Sequence, residues 1–77
     1  MDEETRDRFA IRCIVVSTQS GMTNIARAHR DDPEMRDRLQ EATLERGNAL
    51  LSEIEREHLL SSALRSVMRA ARSALGS

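Results

Sequence analysis

The sequence predicts an all-α chain: an antiparallel helical hairpin with a long C-terminal helix, dimerising into a four-helix bundle. Three observations predict it. Apolar residues recur at helical spacing through both halves of the 77 residues. One proline, Pro33, separates those halves. The single run of consecutive β-branched residues, Ile14-Val15-Val16, has no second strand to pair with, and an isolated hairpin is marginal in water.

Residues 3–30 read as the first helix. At about 100° per residue, Ile11, Ile14, Val15, Met22, Ile25, Ala26 and His29 share one broad face, the width of a core-facing helix. Phe9, Cys13 and Val16 form a second stripe on the other side of its first half. Read as a strand, the same stretch alternates badly, because Arg12 sits among apolar neighbours. Periodicity therefore outweighs β-propensity, which context readily overrides. An irregularity is expected at Ser20-Gly21.

A turn is expected over 30–33. Asp32 suits a helix cap, Pro33 the first helical position, and Glu34 the positive end of the dipole. No proline follows. The candidate breaks are Gly47-Asn48 and Ser61-Ser62, and Gly76 stops the run. We read 33–75 as one helix, with 47–48 as the alternative point of division. Met35, Leu39, Ala42, Leu50, Leu60, Leu64, Val67, Met68, Ala71 and Leu75 share a face of it. Leu44, Leu51 and Ile54 flank that face together with His58. Arg46, Glu53 and Glu57 interrupt it, either reaching solvent at its edge or forming a polar layer that sets register.

These arms are unequal, and at 1.5 Å per residue the second overshoots the first by about 20 Å. Leu60, Leu64, Val67 and Met68 lie on the overshoot, while Phe9, Cys13 and Val16 face outward. Two uncovered apolar patches on so short a chain imply a partner, and a second copy would close a bundle. Those seven residues are the expected self-association surface.

Composition narrows the function classes. The net charge is −1, from 12 basic and 13 acidic residues, so no global field points to nucleic acid or membrane. All the basic residues are arginine. Trp and Tyr are absent, which removes the usual stacking platforms for single strands. A single cysteine, an acidic polar start and no long apolar run point to a soluble cytoplasmic protein that does not enter a membrane. Neither cofactor nor metal is expected. Glu55 and His58 make an ExxH pair of the di-iron kind, but a complete site needs further inward glutamates, and the first helix offers only Glu3 and Glu4. Cys13 and His29 lie on different faces and have no metal spacing. The three glycines are scattered, so no phosphate loop exists. An enzyme is not expected.

Arg65, Arg69 and Arg72 recur at i, i+4, i+7 in a C-terminal segment without an acid, opposite a Leu/Val/Met stripe. We read them as partner-binding, toward a protein with an acidic or apolar surface. The Asp32-Pro33 turn, Gln40 and the long amphipathic C-terminal helix are similar to the needle and inner-rod proteins of type III secretion. Those form helical hairpins with an Asp-Pro turn, and the resemblance implies a self-assembling subunit. This sequence departs from their pattern in lacking the aromatic, Asn-rich second helix.

The expected function is a non-enzymatic interaction module. It would be a small regulator, adaptor or inhibitor of a larger assembly, a nucleic-acid machine among the candidates, and would act by surface occupancy. Direct nucleic-acid binding by a ribbon-helix dimer, with Phe9–Val16 as the ribbon strand, is the second class. A self-assembling structural subunit is the third.

Overall fold

The computed structural model of the chain describes residues 2–57 and 60–76. The described residues form three helices: α1 (Glu3–Ala28), α2 (Pro33–Glu57) and α3 (Ser62–Ala74). No strand occurs among them, and Phe9–Val16, the ribbon strand of the second reading, is helical. The β-branched run is held in the helix by packing, because Ile14 and Val15 lie half-buried against the core.

Asp2 caps α1, its carboxylate accepting the Thr5 N–H at 2.7 Å. The helix passes through Ser20-Gly21 unbroken, contrary to the expected irregularity. Gly21 instead faces Thr43 of α2, where a Cβ would stand 3.5 Å from the threonine methyl. Small residues here serve the approach of two helices. The turn falls where the sequence put it: Asp32 caps α2 through the Met35 N–H at 3.2 Å, and Pro33 opens the helix.

Hydrogen bonding from the Thr5 backbone N–H, then from its side chain, holds the Asp2 carboxyl below the usual carboxylate range. A depressed folded-state pKa stabilises above the unfolded value and loses that stabilisation as pH falls through the folded value. Asp2→Ala should therefore reduce helicity at neutral pH. The difference from the parent in circular dichroism should close as acid passes 3.8 and then the lowered value. A gap that persists to the acid end of the titration would remove the charge from the cap.

The expected single helix over 33–75 is corrected. The helix runs unbroken through 47–48 to Glu57, and α3 begins anew at Ser62, after the non-helical Leu60 and Ser61. Ser61 is its N-cap, accepting the Leu64 N–H at 3.2 Å while its hydroxyl donates to Glu4 Oε1 at 3.1 Å. His58 and Leu59 lie outside the described residues, and with them the histidine of the ExxH pair and of the flanking patch.

Helices α1 and α2 form the expected antiparallel hairpin, tied across by the Gln40 side-chain amide donating to the Met22 carbonyl at 3.1 Å. Helix α3 returns along this hairpin parallel to α1. Ser61 meets Glu4 at one end, and Leu75 reaches the Thr18–Gly47 crossing at the other. The core is Ile11 of α1, Leu51 of α2, and Leu64, Met68, Ala71 and Leu75 from α3 and its cap. Ile14, Val15, Leu44, Ile54, Leu60 and Val67 surround it. Beyond the Gly47 crossing the hairpin continues as two helices alone, and no side chain from Gln19 to Arg46 is fully buried.

Candidate partner-binding surface

The fold-back redistributes the residues expected to be functional. Leu64 and Met68 are buried in the chain's own core, and Leu60 and Val67 are half-buried against it. The overshooting ridge expected to meet a second copy is thus consumed within one chain. Its apolar face is satisfied at no cost in association entropy. Phe9, Cys13 and Val16 do remain outside, with Phe9 64% and Val16 61% exposed. Arg46, Glu53 and Glu57 are all exposed, reaching solvent within the single chain.

The three arginines of α3 share one face by their spacing, and at Arg72 that face meets α2. Arg72 is committed there, donating to Ser52 Oγ at 2.9 Å and pairing with Glu55. It latches α3 to α2 and is not available to a partner without breaking those bonds. Arg65 and Arg69 are exposed.

The opposite flank of α3 is made of small side chains, and there the seam with α1 stays open as a groove of about 780 Å³. Ile11 and Ala71 form its floor, with Val15 and Val67 beside them. Ala70 and Ala74 make a low wall on α3, and Val16 faces them from α1. Alanines one turn apart on α3 leave the seam shallow, because neither reaches across it. Arg8 and Arg12, at i and i+4, stand on the α1 rim.

The electrostatics of this side are mainly basic. From Arg8 to Arg30 there is no acidic residue, and none from Leu60 onward. The acids concentrate on α2, which carries Glu34, Asp37, Glu41, Glu45, Glu53, Glu55 and Glu57. Arg8 is paired with Glu4 at 3.8 Å, but both are exposed and such pairs contribute little. Arg12 has no ion pair among the described residues.

Sequence reasoning found the exposed stripe and missed the groove, which exists only once α3 folds back. The alanines opposite the arginine stripe of α3 were a visible signal of it. The buried positions of Asp7 and Thr18 were also missed. Among the described residues no group of three or more His, Cys, Asp or Glu side chains is placed to hold a metal, and no helix is long and apolar enough to cross a membrane. The chain matches no protein-family model, no curated protein and no solved structure.

Proposed function

We propose that the chain is a non-enzymatic protein-interaction module, a regulator, adaptor or inhibitor acting by occupancy of a partner's surface. Its contact surface is the α1–α3 groove with the adjoining Phe9–Val16 stripe. The observation that carries this reading is Val16. It is 61% exposed and lines the groove, joining it to the stripe that runs back to Phe9. Covering side chains such as Phe9 and Val16 stabilises a complex by about 1–2 kcal/mol each. Groove contacts add to this, enough to offset association costs for a partner of modest affinity.

Charge favours a different protein over a second copy. A symmetric pairing on this face would set Arg8 and Arg12 near their own duplicates, with Glu4 offsetting Arg8 and no acid paired with Arg12 among the described residues. The arginines of α3 take a smaller part than the sequence suggested, since Arg72 is held by α2.

The test is quantitative capture from the source cell with three tagged proteins: the parent, Val16→Glu, and Ala42→Glu on the exposed face of α2. Both substitutions fall on exposed positions, and circular dichroism checks that each folds. A protein retained by the parent and by Ala42→Glu, and lost with Val16→Glu, is the expected outcome. Identical captured sets for all three would overturn the assignment.

A further inference from the structure

We infer that the occupant of the α1–α3 groove is an amphipathic helix whose flank toward α1 carries carboxylates. The inference rests on the groove being the contact surface, and specifies what it holds.

The helical form follows from the backbone. Every wall of the groove is helix, so its main-chain groups are already paired within α1 and α3. An extended segment laid there would find no ladder partners and would bury its own N–H and C=O groups unsatisfied. A helix brings its backbone bonds with it. The dimensions agree: Arg8 to Val16 spans about 12 Å along α1, room for two turns of a partner with apolar residues at i, i+3/i+4 and i+7. The low Ala70–Ala74 wall allows close approach, where longer side chains would hold a second helix away.

The charge follows from a census of what faces the groove. Arg8 and Arg12 occupy the α1 rim, and Glu4 is the acid at its Ser61 end. Helix α3 offers no carboxylate from any position. A partner carrying Lys or Arg on that flank meets two guanidinium groups, of which Glu4 offsets Arg8 alone. One carrying Asp or Glu at i and i+4 meets Arg12 directly, and arginine pairs with carboxylate in a fixed bidentate geometry. Phosphate would also satisfy the arginines. The floor, however, is alkyl, and two arginines make few backbone contacts for a nucleic acid.

The test uses the full chain and a displayed library of helical peptides. Their apolar positions are fixed as Leu or Ala, and their flanks are randomised among Asp, Glu, Lys, Arg, Gln and Ser. Selected peptides are then titrated by fluorescence anisotropy against the parent protein and three variants: Arg12→Glu, Arg12→Lys and Ala70→Glu. A fluorescent DNA duplex is titrated in parallel. All three substitutions lie on exposed positions, and circular dichroism checks that each folds.

Acid enrichment on one flank is expected, with affinity falling at least about tenfold for Arg12→Glu and by a smaller factor for Arg12→Lys, which keeps the charge and loses the bidentate fork. Exchanging the peptide's Glu for Arg should restore binding to Arg12→Glu. Peptides that are neutral or basic yet blocked by Ala70→Glu would leave the groove as the contact surface and overturn its preference for acid. If no selected peptide is sensitive to Ala70→Glu, the groove assignment falls as well. Duplex binding that is lost with Arg12→Glu, with no acidic peptide behaving so, would assign the arginines to phosphate and overturn the inference.

Discussion

Leu64→Asp should unfold the whole chain, not α3 alone. Leu64 is 3% exposed, and an aspartate there must either bury its charge unpaired or undock the helix. Undocking is costly because of where the core comes from. Helix α3 has 13 residues, yet it and its cap supply Leu64, Met68, Ala71 and Leu75, leaving Ile11 and Leu51 as the hairpin's share of the core among the described residues. A chain of this length has a total stability of about 4–12 kcal/mol. Loss of four of its buried side chains exceeds what the remaining two helices can sustain, and isolated helices are marginal in water. Helical circular dichroism should disappear throughout, while Ala63→Asp, one residue away and exposed, stays folded. A loss confined to the share of α3, with α1 and α2 intact, would mean that the hairpin carries a core of its own.

Gly47→Val should cost about 2–4 kcal/mol, although it replaces the residue least suited to a helix interior, proline aside. A Cβ at this position would stand 2.6 Å from Thr18 Oγ1, 3.1 Å from Thr18 Cγ2 and 3.2 Å from Leu75 Cδ1. Thr18 is 7% exposed and β-branched, so rotation about χ1 only exchanges one γ atom for the other. Overpacking of this kind costs about 1–3 kcal/mol for added methylenes, and valine adds two branches beyond the Cβ. The cause is separable from propensity. Gly47→Ala should destabilise the parent. In a Thr18→Ala background, where both clashing γ atoms are gone, it should become neutral or stabilising by up to about 1 kcal/mol, as expected for Gly→Ala in a helix. Urea unfolding of the four proteins gives the cycle. A Gly47→Val protein that unfolds at the parent's midpoint would mean that the three elements do not meet closely here.

This glycine illustrates how the reading of the sequence divides. Gly47-Asn48 and Ser61-Ser62 both presented themselves as breaks, and local information could not rank them. A glycine inside a helix costs about 1 kcal/mol whether it marks an end or a contact, and a serine is a tolerable interior residue as well as a good cap. The close approach of Thr18 and Leu75 that requires Gly47 joins residues distant in sequence. So does the Glu4–Ser61 contact beside the true break. The arginines of α3 divide in the same way. Their shared face was visible in the spacing, whereas the Ser52 and Glu55 partners that hold Arg72 were not.

The helical class, the Asp32-Pro33 boundary and the outward stripe of Phe9, Cys13 and Val16 follow from residues within a turn or two of one another, so the chain's own letters determined them. That Leu64 and Met68 are buried within the chain, with Val67 half-buried beside them, was decided by folding. Helix propensities at the Ser61-Ser62 break differ by tenths of a kcal/mol, while burying Leu64, Met68 and Leu75 against Ile11 and Leu51 returns several. Burial therefore wins over local preference and bends the chain back. In doing so it covers one apolar face and opens the groove beside α1.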